Sequence, residues 1–307
     1  MIDNFSKLTL GTVQLGLNYG IANRSGQPDQ SKSFEILDAA LREGINTLDT
    51  AFDYGNAEAV IGGFIKSKAD KPGLNIVSKF RIEQEHIGKM DLIRKDVYVK
   101  IRKSLFDLGL ERMPIYLFHQ GKDQPLEIMA ASISLILQEL KNDGLIEKGG
   151  ISFDRPGNMN LVLADNCFEC VQVPINIFDQ KLAIDGTLDK LKERNIIVFA
   201  RSIFLQGLFF LKPNQMTGNL KQAEGYLNSL SQLAEEAGMT VAEFAFSFVR
   251  DLEGISSLIF GAEHSEQVHQ NGRLLNVPGI RKDIRLKATQ LFENVPEEII
   301  TPRLWKL

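Results

Sequence analysis

NTLDTAFDYGNAEAVIGGFIKSK, residues 46–68, contains one complete β-then-α unit. Residues 46–50 are a short β-rich run, and from Ala57 the apolar side chains fall at helical spacing, Ala57, Val60, Ile61, Phe64 and Ile65. The same alternation runs outward to both ends of the chain, with no Pro/Ser-rich linker or low-complexity tract to divide it. Strands are predicted at 7–11, 46–50, 75–79, 115–119, 148–153, 171–175, 196–201 and 257–261. Helical patterns lie over 31–44, 57–68, 91–109, 126–144, 158–166, 187–195, 223–251 and 264–276, several closed by a glycine suited to a left-handed C-terminal position (Gly44, Gly109, Gly144). Eight such units are what a (β/α)8 barrel requires; an open doubly wound sheet more often has about five to seven strands and a glycine-rich turn after the first. No dinucleotide fingerprint in strand-turn-helix context and no phosphate-binding P-loop occurs. The fold class expected is α/β, a single-domain (β/α)8 TIM barrel.

The length agrees, since 307 residues suit about two ordinary domains or one barrel of roughly 250 residues with insertions. The excess lies at about 203–218, after the seventh strand, and about 283–307, after the eighth helix, so residues 1–307 read as one domain. Both segments are placed to cover a barrel end, but only the first follows a strand and must lie at the catalytic face. With 44% hydrophobic and 24% charged residues, 25 Gly and 10 Pro, the composition excludes collagen, disorder and a disulfide scaffold. Thirty-five Lys plus Arg against 39 Asp plus Glu leave a net charge of −4. No basic run is interleaved with aromatics, so neither nucleic acid nor a membrane surface is an expected partner.

No apolar stretch approaches the roughly 18 residues of a membrane span. Met1-Ile2-Asp3-Asn4 lacks a basic n-region leading into an apolar one, which predicts a cytoplasmic protein. Cys167 and Cys170 form a C-x-x-C, but Cys170 leads into a strand and no second pair completes a zinc site. Two partly buried small side chains, and no metal, are the expectation.

In a barrel, catalytic groups gather at the C-terminal ends of strands. Asp49 ends the second strand and Tyr54 follows it, Lys79 ends the third, and His119 ends the fourth. Singly, each has a plain structural use: a helix cap, half-buried packing, a snorkelling charge, a hydrogen-bonded core histidine. Together they form a set that can protonate an alkoxide. A free phenol, with a pKa near 10, is a poor acid at neutral pH, and a neighbouring ammonium lowers that barrier by stabilising the phenolate. Lys79 would supply that charge, Asp49 would hold it, and His119 would donate to the carbonyl oxygen as it turns negative.

The sequence resembles the aldo-keto reductase superfamily from Leu8, Gly11 and Thr12 to about Asn271, and around NYGIAN and FARSIFLQG it is similar to members found among bacterial surface-carbohydrate genes. The motif D-T-A-x-x-Y-G-x-A-E-x-x-I-G is present from Asp49 to Gly62, and the catalytic tetrad falls on Asp49, Tyr54, Lys79 and His119. The resemblance implies a barrel binding NADPH in extended form and reducing aldehydes or ketones by hydride transfer, with Tyr54 as general acid. It implies cofactor contacts from Gly11, Thr12, Ser152, Gln172, Arg201, Ser202 and Gly207. Ser152 and Gln172 would hold the nicotinamide carboxamide, Phe153 displaces the asparagine usual after the serine, and Arg201 replaces an aromatic that often stacks on the ring. A guanidinium plane can also stack, and can hydrogen-bond besides.

The family's phosphate and adenosine loop falls on Gly261, Glu263, Ser265, Gln267 and Asn271. Glu263 stands where a basic residue is frequent. NADP(H) is expected from the resemblance, and NAD(H) stays open because a carboxylate there repels a 2′-phosphate and can accept from free ribose hydroxyls. For the substrate, Asn18 and Tyr19 in the long polar first loop, with Arg81, Gln120 and Arg201, would build a rim rich in hydrogen-bonding groups, suited to a polar, sugar-like aldehyde or ketone. A cofactor-binding regulatory subunit with little turnover is the alternative reading; the intact tetrad favours the enzyme.

Overall fold

Eight parallel strands, β1 (Leu8–Gly11), β2 (Thr47–Asp49), β3 (Asn75–Phe80), β4 (Met113–His119), β5 (Ile146–Ser152), β6 (Cys170–Pro174), β7 (Ile197–Arg201) and β8 (Ser257–Gly261), pair in chain order. β8 returns to β1 and closes the barrel. The computed structural model describes residues 5–20, 23, 26–70, 73–121, 124–155, 157 and 159–306. The first four residues, and 21, 22, 24 and 25 of the first loop, lie outside the described residues.

Side chains alternate across each strand, and this decides what reaches the barrel mouth. Val77, Ile115, Leu117, Cys170, Phe199 and Ile259 fill the interior, closed below by Phe5 packed edge-on against Phe199 at 5.6 Å. The intervening residues, such as Ile76, Phe80, Tyr116, Phe118, Val171 and Val198, face the helices in a second, larger core. Two residues past the interior layer on the same face stand Lys79, His119, Gln172 and Arg201. The upper polar layer is therefore the continuation of the apolar one.

The helices differ little from expectation except where a local hydrogen bond intervenes. The pattern at 158–166 gives only Asn160–Ala164, because Asp165 Oδ1 accepts from the Cys167 amide at 2.8 Å and turns the chain toward β6. The stretch 223–251 forms two helices, Glu224–Glu236 and Val241–Arg250, separated at Gly238 (φ 68°) and restarted by a reciprocal cap between Thr240 and Glu243. Cys167 and Cys170 are buried free thiols. Among the described residues, no helix is long and apolar enough to cross a membrane.

Both extra segments reach the catalytic face, where the sequence required only the first. After β7 the chain passes through short turns at Leu205–Phe210, Pro213–Gln215 and Gly218–Ala223. The C-terminal part adds Lys282–Leu291, Glu297–Ile300 and Pro302–Leu304. Its end is tied to the mouth by Arg303 Nε to Asp154 Oδ2 at 3.0 Å and by an Arg155–Glu297 pair. Asn219 braces it, donating to Leu304 O at 3.0 Å and accepting from Lys306 N at 2.9 Å. A terminal segment that follows no strand is thus brought to the mouth by ion pairs with the loop after β5.

Candidate active site

Asp49 is the last residue of β2, and its carbonyl accepts from both N and Oγ1 of Thr12, each at 2.9 Å, which joins the ends of β1 and β2. The loop carrying Tyr54 is seated by glycine. A Cβ on Gly16 would lie 1.7 Å from the Tyr54 carbonyl oxygen. Gly55 has φ 59°, and a Cβ there would meet the Gly16 carbonyl at 2.3 Å. Two backbones approach more closely than any side chain permits, and the contact fixes where the phenol starts.

Lys79 is completely buried, its Nζ 2.7 Å from Asp49 Oδ1 and donating to Thr50 O at 2.7 Å. Burial alone would depress its ammonium, but Asp49 and then Tyr54 outweigh it and hold its pKa above the ordinary lysine value. The ammonium lies 4.9 Å from the Tyr54 ring centroid. His119 packs edge-on to Tyr54 at 6.2 Å. Burial, followed by the charges of Lys79, Arg81 and Arg201, pushes its imidazole well below the ordinary value, so it is neutral. Its Nδ1 is buried without a hydrogen-bond partner among the described residues. Gln172 Nε2 donates to Asp49 Oδ1 at 2.6 Å, and its Oε1 accepts from Ser152 Oγ at 2.9 Å. A hydrogen-bonded row thus runs from β5 through β6 to the Asp49–Lys79 pair.

These groups open into a cleft of about 960 Å³. Asp49, Tyr54 and His119 line it, with Tyr19, Arg81 and Arg201 toward the outer rim. Gly11, Thr12, Gln172, Ser202 and Gly207 line its floor and wall, and Gly261, Glu263, Gln267 and Asn271 its far end. Lys79 and Ser152 lie beneath the lining, bonded to residues that form it. Three expected residues are not brought into it. Asn18 is exposed on the β1 loop, while its neighbour Tyr19 turns to accept from Gln206 Nε2 at 3.0 Å. Gln120 is held between loops, donating to Gln124 O at 3.3 Å and accepting from Asp154 N at 3.1 Å. Ser265 opens the helix Ser265–Leu274 outside the lining, because the rim there is taken by Glu263 and by Gln267, whose Oε1 folds back to accept from Glu263 N at 2.6 Å.

Tyr19 is a second phenol in the cleft, 42% exposed, and partial desolvation, reinforced by Tyr54, raises its pKa against the pull of Arg201. Arg201 does not lie free in the cleft: Nη2 donates to Phe153 O at 2.7 Å and Asp154 O at 3.0 Å, and Nη1 to Ser202 Oγ at 3.2 Å.

Residues 7–285 match the aldo/keto reductase family. The chain belongs to that family. This reductase is 26% identical over 301 residues to the uncharacterized oxidoreductase YqkF of Bacillus subtilis, covering 92% of this chain and 95% of that protein. It is 23% identical over 299 residues to the NADH-specific methylglyoxal reductase of Escherichia coli, covering 89% and 90%. Among solved structures, a glycerol dehydrogenase from Gluconobacter oxydans gives a TM-score of 0.70 at 23% identity, covering 94% of this chain and 91% of that one. An aldo-keto reductase from Klebsiella pneumoniae in complex with NADPH gives 0.69 at 21%, covering 99% and 95%. At these identities the structural likeness is one of fold. Family membership makes the chain an oxidoreductase.

Several cleft residues of the reductase were not legible as such. Asp154, Arg155, Asp179, Glu297 and Arg303 all line it. Asp154 and Arg155 stand two and three residues past the end of β5, so reading three residues past each strand end finds them. Asp179 stands five residues beyond Pro174, and the C-terminal pair is placed by tertiary contact alone.

Proposed function

We propose that the protein is an NAD(P)H-dependent reductase of a polar, sugar-like aldehyde or ketone, with Tyr54 as the general acid. The observation that carries the reading is the buried Lys79 ammonium, 2.7 Å from Asp49 and facing the Tyr54 ring at 4.9 Å, at the floor of a cleft also lined by His119. A buried ion pair is weak evidence for stability, since desolvation offsets much of its attraction. Its place beside a phenol at the C-terminal end of a barrel gives it a chemical use.

The residues of the cleft fit a nicotinamide dinucleotide. Gln14 Oε1 and Asn271 Oδ1 are buried acceptors in its lining without partners among the described residues, and the Gln14 amide lies over Gly261, where a Cβ would meet its Nε2. Ser152 and Gln172 would hold its carboxamide, and Glu263, Gln267 and Asn271 its adenosine end. Bound there, the reduced cofactor supplies the hydride. Tyr54 gives its proton to the carbonyl oxygen as negative charge develops, the Lys79 ammonium stabilises the phenolate left behind, and Asp49 keeps that ammonium in place. His119, being neutral, donates a hydrogen bond to the same oxygen without competing for the proton.

For the cofactor, the far end of the cleft offers Glu263, Gln267, Gln270 and Asn271, with no lysine or arginine among the described residues that line it there. His269 is engaged by Glu43 at 2.6 Å, and Arg273 stands 4.0 Å from Glu266. We therefore propose that both NADPH and NADH are used. The NADH-specific E. coli relative supports this reading. The test is a screen of reduced-cofactor oxidation with each nucleotide across sugar aldehydes, keto sugars and simple aromatic aldehydes. Turnover is expected, fastest with hydroxylated carbonyls; tight nucleotide retention without turnover on any of them would instead indicate a regulatory subunit.

A further inference from the structure

Asp179 is a buried carboxyl group, 8% exposed, that lines the cleft and that the proposed chemistry does not use. It lies in a tight turn built by Asn176, whose Oδ1 accepts from Phe178 N at 2.9 Å and Asp179 N at 3.1 Å. The same turn is anchored to the end of β7, with Ile175 N donating to Arg201 O at 3.1 Å and Asn176 Nδ2 to Ser202 O at 3.3 Å. The carboxyl group of Asp179 and the guanidinium of Arg201 are thereby held on neighbouring strand ends of one wall, β6 and β7, whose Pro174 and Arg201 are register partners. Neither forms an ion pair within 4.0 Å with a described residue. Burial raises the pKa of the Asp179 carboxyl group, against the opposing pull of Lys181, its backbone amide and Arg201; among the described residues Arg201 is bonded only to carbonyls and to Ser202.

An acceptor and a cationic donor lining the same cleft, neither in an ion pair with the other, suit a ligand group that donates and accepts at once. A hydroxyl does both. An ammonium does not, because it has no lone pair with which to accept from Arg201. We propose that Asp179 is a specificity-determining residue that accepts a hydrogen bond from a hydroxyl of the substrate while Arg201 donates to that hydroxyl oxygen, so that the cleft selects hydroxylated carbonyls over their deoxy counterparts. This rests on the carbonyl-reductase reading above and names the residue that gives it a substrate class.

The test uses matched pairs of substrates, glyceraldehyde against propanal and erythrose against butanal, with the wild-type protein, Asp179→Asn and Asp179→Ala. The wild type is expected to favour the hydroxylated member in kcat/KM. Asp179→Asn retains an acceptor for the Lys181 amide but loses the charge that strengthens the bond to the hydroxyl. It should lower kcat/KM for the hydroxylated substrates about tenfold, mainly through KM, leave propanal and butanal within about twofold, and leave Tm unchanged. Asp179→Ala should widen the loss for hydroxylated substrates alone. If kcat/KM falls in parallel for both members of each pair, or only in Asp179→Ala together with Tm, Asp179 supports the turn and the proposal fails. It also fails if the selectivity of neither pair changes, or if the wild type does not prefer the hydroxylated members. Absence of wild-type turnover on all four substrates would overturn the reductase reading itself, an outcome distinct from every result that concerns Asp179.

Discussion

In the proposed reading, Glu263 acts on nucleotide preference through the sign of its charge. Half-buried in the cleft lining, its carboxylate would repel a 2′-phosphate, with close to two negative charges, bound beside it. Glu263→Arg is expected to raise the NADPH over NADH ratio of kcat/KM about tenfold, equivalent to about 1.4 kcal/mol; steady-state kinetics with both nucleotides measures it, and an unchanged ratio would remove Glu263 from the adenosine pocket. His119 carries a second residue-scale consequence. Its pKa is depressed in the fold, mainly by burial, while the unfolded chain keeps a value near about 6.5. Below about pH 6.5 the unfolded state therefore binds more protons, and stability falls as pH falls through that window, by at most about 1.4 kcal/mol per pH unit for this group. Thermal unfolding of His119→Asn across that range should show a shallower slope than the wild type; equal slopes would mean that the imidazole is not desolvated. The residues proposed as catalytic were legible because each sits at a strand end or inside one dense motif. Asp179 was not, because a side-chain-built turn carries it back into the cleft five residues after its strand.

Elements hold these residues in register by alternation and by close backbone contact. The upper polar layer follows from strand parity, so the sequence pattern that places Val77 and Leu117 inside also places Lys79 and His119. All eight strands lie within two residues of where their β-rich runs predict them, since each is an apolar run bounded by turn residues. The helix at Asn160–Ala164 was overestimated, because the Asp165 side chain accepts a hydrogen bond from the Cys167 amide and ends it, and periodicity does not register such a cap. Gly16 supplies the element-scale prediction. A Cβ there would overlap the Tyr54 carbonyl oxygen at 1.7 Å, and neither backbone can yield without moving the phenol. Gly16→Ala is expected to cost about 1–3 kcal/mol of stability by overpacking and to lower kcat with little change in nucleotide affinity. Chemical denaturation and nucleotide titration separate the two effects; wild-type kcat in a destabilised variant would show that the loop tolerates the shift.

Across the whole molecule, four separate stretches of chain enclose one cleft. The loop after β1 meets the loop after β7 through Tyr19 and Gln206, and the C-terminal segment crosses to the loop after β5 through Arg303–Asp154 and Arg155–Glu297. The barrel itself was legible from the repeated β-then-α units. The arrival of the C-terminus at the mouth was not, since ion pairs between residues about 150 apart leave no periodic signal in sequence. The proposed proton transfer from Tyr54 would take place in this cleft, and the central claim stands or falls there. The direct measurement is single-turnover and steady-state kinetics of Tyr54→Phe, with nucleotide binding followed in parallel by fluorescence titration. Binding is expected to match the wild type within about twofold while kcat falls roughly 10²–10⁴-fold. Near-wild-type turnover in Tyr54→Phe would contradict the assignment of Tyr54 as the acid.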